Sequence, residues 1–145
     1  MKTYADTSLL FSLYASDANS AKADAWRTAN PRSLPFTAFH RLELRNALNL
    51  AVFQKRLTLL EVQSAWREVE NDLAAGLLVV SGGSWHRVLS AAESFAEHHT
   101  SIIGSRTLDM VHVASAKLVG ATDFCTFDTR QSNLVRRVGL TAVNL

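Results

Sequence analysis

Two acidic residues, Asp109 and Asp128, belong to the most informative stretch of this 145-residue sequence, Arg106–Gln131. The stretch reads as an amphipathic helix that ends at Gly120, a tight turn, and a strand at Phe124–Phe127. Because the turn is short, the helix must run antiparallel to the strand, which places Asp109 in the first helical turn beside Asp128 at the strand's end. The two carboxylates are therefore expected to meet at the carboxyl edge of a sheet, where open α/β sheets bind ligands.

Two further acidic residues fit the same edge. Asp6 follows a short predicted strand, Thr3–Ala5, and Glu43 lies in the second turn of a helix that begins after the predicted strand Leu34–Phe36. Glu43 and Asn46 fall within an apolar stripe of that helix, so we expect an inward-facing carboxylate that needs a partner. The stripe comprises Phe39, Leu42, Ala47, Leu50 and Phe53.

Four carboxylates at one edge repel one another, and their proton affinity rises unless a cation is bound. No basic residue on the Glu43 face is an obvious partner, and no His or Cys pair has zinc-site spacing. Carboxylate oxygens suit Mg²⁺ or Mn²⁺. The sequence therefore predicts that this edge binds one of these two metals.

The same acids belong to four short motifs. They are Asp6-Thr7-Ser8 after a strand, Glu43 on an early helix, R-x-L-D-x-x-H-x-A-x-A from Arg106 to Ala116, and T-x-D-x-R-Q from Thr126 to Gln131. In this order, and over Thr3–Leu140, the chain resembles PIN-domain proteins and, more narrowly, the VapC-type toxins of bacterial toxin–antitoxin pairs. No motif is recognised between Thr58 and Thr100.

The resemblance implies a metal-dependent endoribonuclease that hydrolyses RNA phosphodiester bonds, with RNAs of the translation machinery as the substrates of the toxin group. Carried over residue by residue, the acidic quartet is Asp6, Glu43, Asp109 and Asp128. Asp6 and Asp109 are the expected direct metal ligands. Glu43 and Asp128 either orient metal-bound water or complete a second metal site.

Polar neighbours of the quartet have two interpretations each. Thr7 or Ser8, and Thr126, either hold a carboxylate by hydrogen bonding or serve only in helix capping and strand packing. Arg130, at the start of a helix, either contacts the scissile phosphate or forms a surface ion pair. His112 is expected to be a buried, hydrogen-bonded histidine outside the catalytic set.

Strands alternate with helices along the chain, which predicts a mostly parallel sheet covered on both faces within one domain, residues 1–145. The resemblance implies a three-layer α/β/α PIN-like fold with five strands in the order 3-2-1-4-5. The other predicted strands are Leu77–Val80 and Leu140–Val143. The other predicted helices are Leu9–Tyr14, Ala21–Ala29, Ala38–Lys55, Thr58–Ala75, Trp85–His99 and Arg130–Val138.

Charge gives weak support for a polyanionic partner. The formal net charge is +2. When the four candidate acids are set aside, the sequence has nine acidic and 15 basic residues. Seven of the basic residues either line an RNA-binding approach or form an ordinary solvated surface. They are Arg41, Arg45, Lys55, Arg56, Arg130, Arg136 and Arg137.

The sequence has no apolar run long enough to span a membrane and no secretory signal pattern. Its single cysteine, Cys125, falls in a predicted buried strand and is expected to be a core residue. These features predict a cytoplasmic protein.

The apolar helices on either side of Arg56, together with Ala21–Ala29, carry more apolar surface than one sheet face covers, so we expect another chain to bind there. The resemblance implies a homodimer and a VapB-like antitoxin. Two other function classes remain as alternatives. One is a catalytically silent PIN-like module that binds RNA or protein, and the other is a receiver-type phosphoacceptor, for which Arg130 is the single candidate cation near a strand end.

Overall fold

The computed structural model describes residues 2–145 and contains short strands at each place where the sequence predicts one. All of these strands have three residues. The strands predicted at Leu77–Val80 and Leu140–Val143 begin one residue later than predicted, and the strand predicted at Phe124–Phe127 is observed at Asp123–Cys125. In chain order the strands are β1 (Thr3–Ala5), β2 (Leu34–Phe36), β3 (Leu78–Val80), β4 (Asp123–Cys125) and β5 (Thr141–Val143).

Helices connect the strands, as predicted. In chain order they are α1 (Thr7–Tyr14), α2 (Ser20–Ala29), α3 (Ala38–Phe53), α4 (Leu59–Ala74), α5 (Trp85–Phe95), α6 (Ser101–Ile103), α7 (Thr107–Leu118) and α8 (Thr129–Arg137). The predicted helix Trp85–His99 changes character after Phe95, because Ala96–Thr100 forms a π-helical turn. Gly120 follows α7 with a φ of 75°, a left-handed conformation that glycine adopts without strain.

The described strands form two parallel sheets. One has the order β1-β4-β5 and pairs Ala5 with Cys125 and Cys125 with Val143, and the other pairs β2 with β3. Both sheets are parts of the predicted order 3-2-1-4-5, and the mixed α/β fold with parallel strands and flanking helices is confirmed. A β1–β2 ladder, which the single five-stranded order requires, is not among the ladders of residues 2–145.

Two compact units divide the chain, and the single-domain assignment stays a prediction. The first unit comprises the residues up to Asp6 together with Gly82–Asn144, and the second comprises Thr7–Ser81 with Leu145. The first unit contains β1, β4 and β5 together with α5 to α8. The aromatic ring of Tyr4 stacks on Phe124 at 5.3 Å between ring centroids, and both side chains are fully buried.

The second unit contains α1 to α4 and the β2–β3 ladder, and it corrects one prediction. The face of α3 that is buried consists of His40, Leu44, Leu48 and Ala51, at the three- and four-residue spacing of one helical stripe. The predicted stripe is wrong, since three of its members are largely exposed: Leu42 (67%), Leu50 (44%) and Phe53 (84%).

A histidine takes part in the buried stripe because its polar atoms are satisfied. The Nδ1 atom of His40 accepts a hydrogen bond from the backbone N–H of Thr37 (3.0 Å), and the Thr37 hydroxyl accepts one from the His40 N–H (3.1 Å). This reciprocal pair caps the first turn of α3. Helix α4 has the same device, formed by Thr58 and Glu61.

Within the part of the chain that the structure describes, no helix combines the length and apolar character needed to cross a bilayer.

Candidate active site

Asp6 follows β1 directly, as predicted, and its side chain is only 5% exposed. Its backbone N–H donates to the carbonyl oxygen of Cys125 (3.1 Å), which extends the pairing of β1 with β4 by one residue. The hydroxyl of Thr126 lies 2.5 Å from the Asp6 Oδ2 atom and donates a hydrogen bond to it. Asp6 is therefore held through its backbone by β4 and through its carboxylate by Thr126, the residue that follows β4.

Thr126 connects several groups of the site. Its Oγ1 atom is also 2.8 Å from the Oε1 atom of Gln131 and accepts from the backbone N–H of Asp128 (3.0 Å). A hydroxyl has one proton, so Thr126 donates either to Asp6 or to Gln131 at any moment. The structure thus shows the carboxylate contact that the sequence left as one of two alternatives for Thr126.

The structure corrects the position of Asp128. The sequence predicts it as the last residue of a strand, but β4 ends at Cys125 and Asp128 is the N-cap residue of α8. Its Oδ1 atom accepts from the backbone N–H groups of Arg130 (2.8 Å) and Gln131 (3.1 Å). These bonds satisfy two amides that the first helical turn leaves without partners, and a negative charge is favourable at that helix end.

Asp109 lies in the first turn of α7 and meets Asp128 through a third residue, Arg106. The Arg106 Nε atom is 3.2 Å from the Asp109 Oδ2 atom, and its Nη2 atom is 3.5 Å from the Asp128 Oδ2 atom. The predicted approach of the two carboxylates is therefore seen, with a guanidinium between them. In the sequence, Arg106 is notable only as part of a motif, and this contact was not predicted.

Gln131 is a second residue whose role was not predicted from its motif. It is 2% exposed, and its Nε2 atom donates to the backbone oxygen of Asp109 (3.4 Å). Together with its contact to Thr126, this bond joins the starts of α7 and α8. The T-x-D-x-R-Q motif places Gln131 one helical turn after Asp128, the N-cap residue of α8. This spacing was the sequence signal that could have indicated its role.

Glu43 and Thr7 meet in the second unit. The Thr7 hydroxyl donates to the Glu43 Oε1 atom (2.7 Å), and the Glu43 side chain is partly buried. Of the two candidates for holding a carboxylate, Thr7 makes this bond. Ser8 is exposed, and its backbone oxygen accepts from the Ser12 hydroxyl at 3.2 Å.

Arg130 is exposed, and its guanidinium forms no ion pair with the rest of residues 2–145. The surface ion pair that was one interpretation of Arg130 is therefore absent from this part of the chain. The phosphate contact stays a prediction.

Two buried groups near these acids match their predictions. The Nδ1 atom of His112 lies 2.8 Å from the Tyr4 hydroxyl, and its side chain is 3% exposed, so His112 is a hydrogen-bonded core residue. Cys125 is fully buried. Burial, with smaller contributions from Asp6 and Asp123, raises the pKa of its thiol to about 12, so the unreactive thiol predominates at neutral pH.

The chemistry of the donor groups fits a hard divalent cation. Asp109 and Asp128 both contact one positively charged group, the Arg106 guanidinium. No cluster of three or more His, Cys, Asp or Glu side chains suited to a metal ion occurs in residues 2–145. Mg²⁺ commonly binds through one or two carboxylates and completes its coordination with water and substrate phosphate. The carboxylate pair is compatible with that mode.

Comparisons with known proteins give one family and two similar folds. A model of the PIN domain matches residues 3–136. The structure is similar to that of PAE2754 from Pyrobaculum aerophilum, with a TM-score of 0.60 and 19% identity over 99% of this chain and 90% of the other. It is also similar to FitAcB from Neisseria gonorrhoeae, with a TM-score of 0.60 and 18% identity over 98% of this chain and 96% of the other. The comparison with curated protein sequences gave no match.

Proposed function

Because this chain belongs to the PIN domain family, whose members are generally nucleases, we propose that it is a metal-dependent endoribonuclease that hydrolyses RNA phosphodiester bonds. The observation that carries the proposal is the pair of carboxylates, Asp109 and Asp128, that shares one cationic group at the starts of α7 and α8. Such a pair is suited to hold Mg²⁺ or Mn²⁺ against a phosphate group.

Each member of the quartet has a proposed role. Asp6 and Asp109 bind the metal directly, while Glu43 and Asp128 orient water or complete a second metal site. A divalent metal bound here supplies a water of lowered pKa and stabilises the charge that develops on the phosphate. Glu43 belongs to the second unit, and its place in the quartet comes from the motif resemblance.

The neighbouring hydrogen bonds support these roles by fixing the carboxylates before a substrate arrives. Thr126 lies within hydrogen-bonding distance of Asp6, to which it donates in alternation with Gln131, and Thr7 donates to Glu43, so each contact favours one orientation of its carboxylate. A catalytic group that is held in place does not have to be ordered during the reaction, which lowers the barrier. Arg130, exposed near Asp128, is the proposed contact to the scissile phosphate, and Ser8 is a further candidate for a supporting contact.

The test is cleavage of end-labelled total cellular RNA by the purified protein with Mg²⁺ or Mn²⁺, with chelator, and with Asp109→Asn. We expect discrete fragments that disappear with chelator and fall at least 100-fold in the variant. The matched control is Asp123→Asn, which removes the same charge at the opposite end of β4, where Thr122 donates to the carboxylate (3.1 Å). The control should cleave like the wild type.

Intact RNA under every condition, with folded and partner-free protein, would refute the nuclease proposal. It would favour the alternative of a catalytically silent module that binds RNA or protein. If Asp109→Asn and Asp123→Asn lose RNA cleavage equally, the loss reflects a general effect of charge and does not indicate a catalytic site.

We further propose that the protein is a VapC-type toxin that forms a homodimer and binds a VapB-like antitoxin. Three apolar side chains around the α3–α4 connection support a partner surface: Phe53 (84% exposed), Leu59 (61%) and Leu60 (76%). Apolar groups this exposed are common at interaction surfaces when they lie together. Sedimentation of the protein, alone and co-expressed with the product of a neighbouring gene, tests both partners. A strictly monomeric species in both preparations would contradict them.

A further inference from the structure

Arg106 has an unusual position for an arginine in a carboxylate site. It precedes α7 as the N-cap residue, and its side chain is 67% exposed. From there its guanidinium reaches two acids that belong to different helices. The Nε atom contacts Asp109 (3.2 Å) and the Nη2 atom contacts Asp128 (3.5 Å).

The guanidinium contacts carboxylate oxygens that are also available to a metal. Asp128 accepts the amides of α8 through Oδ1, while its Oδ2 atom faces Arg106. The Asp109 atom in contact with Arg106 is also Oδ2. Since the Oδ1 atom of Asp128 already caps a helix, Oδ2 is the oxygen that a cation can bind without weakening α8.

We propose that Arg106 competes with the divalent metal for the Oδ2 atoms of Asp109 and Asp128 and thereby lowers the metal affinity of the site. This inference rests on the proposed function. Solvent-exposed ion pairs are individually weak, so metal binding displaces the guanidinium readily. The arginine therefore sets the metal concentration at which the site fills, without blocking the site.

The experiment is calorimetric titration of Mn²⁺ into the wild type, Arg106→Gln and Arg106→Lys. We expect Arg106→Gln to bind Mn²⁺ roughly three- to tenfold more tightly, the gain expected when two exposed ion pairs no longer compete. Lysine keeps the charge but has no planar fork to contact both carboxylates, so Arg106→Lys should lie between the other two.

Arg130→Gln is the matched control, because it removes the same charge two residues from Asp128 in a side chain that forms no ion pair within residues 2–145. It should change the Mn²⁺ affinity by less than twofold. Equal tightening in Arg106→Gln and Arg130→Gln would overturn the proposal, because the effect would then be general electrostatics. Unchanged or weaker binding in Arg106→Gln would overturn it as well.

Asp109→Asn separates this inference from the proposed function. Loss of binding in Asp109→Asn shows that the measured heat comes from this site, and Arg106→Gln then tests the competition alone. Absence of Mn²⁺ binding in the wild type, or unchanged binding in Asp109→Asn, would overturn the metal site and the inference together. If the wild type binds Mn²⁺ and cleaves RNA but Arg106→Gln binds no more tightly, only the inference fails.

Discussion

Replacing Thr126 by valine tests how the first unit fixes its buried carboxylate. Valine has nearly the shape of threonine, but it lacks the hydroxyl that lies within hydrogen-bonding distance of three groups. These are the Asp6 carboxylate (2.5 Å), the Gln131 side-chain oxygen (2.8 Å) and the backbone N–H of Asp128 (3.0 Å). Thr126 is 4% exposed and Asp6 is 5% exposed, so water has little access to replace the lost contacts.

The expected loss of stability follows from these contacts. A hydrogen bond to a charged group contributes about 1.5–3 kcal/mol, and a buried polar group left without a partner costs about 1–3 kcal/mol. The Asp128 N–H is only partly buried, so water can replace part of the hydrogen bond that it loses. We therefore expect Thr126→Val to lower the free energy of unfolding by about 2–3 kcal/mol. At roughly 3 °C per kcal/mol for a chain of this size, Tm falls by about 6–9 °C.

Urea denaturation at pH 7 and differential scanning calorimetry measure this change. Thr126→Ser is the control, because serine keeps the hydroxyl and removes one methyl group, at a cost of about 1 kcal/mol. If Thr126→Val is as stable as Thr126→Ser, the hydroxyl does not fix Asp6 and the reasoning is refuted. An unchanged urea m-value in both variants would show that the comparison concerns the native contacts.

Three further predictions concern other parts of the chain. Burial raises the pKa of the Cys125 thiol to about 12, so Cys125 should not react with a thiol reagent at pH 8 in the native protein. One thiol should react after the protein is unfolded, and fast labelling of the native protein would contradict this. Burial, and then the hydrogen bond that its hydroxyl donates to Asp72 (2.6 Å), raises the pKa of Tyr14 far above 10.0. Above pH 10 the Tyr14 hydroxyl therefore ionises in the unfolded state before it does in the native state. In urea melts, the free energy of unfolding of the wild type should fall relative to that of Tyr14→Phe by at most about 1.4 kcal/mol per pH unit. A difference between the two proteins that stays constant from pH 8 to 11 would refute this. Thr58→Ala removes the hydroxyl that accepts from the Glu61 N–H (3.2 Å), so unfolding should become easier by about 1 kcal/mol, whereas Thr58→Ser should retain the cap.

The elements that periodicity and end signals define were predictable from the sequence. The stretch around Asp109 is one example. A helix that ends at a glycine and is followed closely by an apolar run must run antiparallel to the strand, which brings Asp109 near Asp128. Asp6 is another, since a residue that directly follows a short β-rich run must lie near a strand's end. In both cases the local pattern and the tertiary position agree.

Two features could not be predicted with the same certainty. Helix α3 has two apolar stripes, and periodicity alone cannot say which one is buried. The structure buries the stripe with His40, whose Nδ1 atom accepts a hydrogen bond from the Thr37 N–H. The run Phe124–Phe127 looks like a strand throughout. Its ladder nevertheless ends at Cys125, opposite Ala5 and Val143, and the chain then turns into the cap of α8. An Asp two residues before an Arg-Gln pair at a helix start was a readable capping signal.

The site and the fold use the same atoms in the first unit. Asp128 gives one carboxylate oxygen to the amides of α8 and directs the other at Arg106, while Thr126 accepts from the Asp128 backbone and donates to Asp6. A substitution at either residue therefore changes helix stability and carboxylate position together. Asp109 is different, because its side chain contacts Arg106 and caps no amide among the described residues. Loss of activity in Asp109→Asn thus reports on chemistry more directly than the same loss at Asp128, which needs a stability measurement beside it.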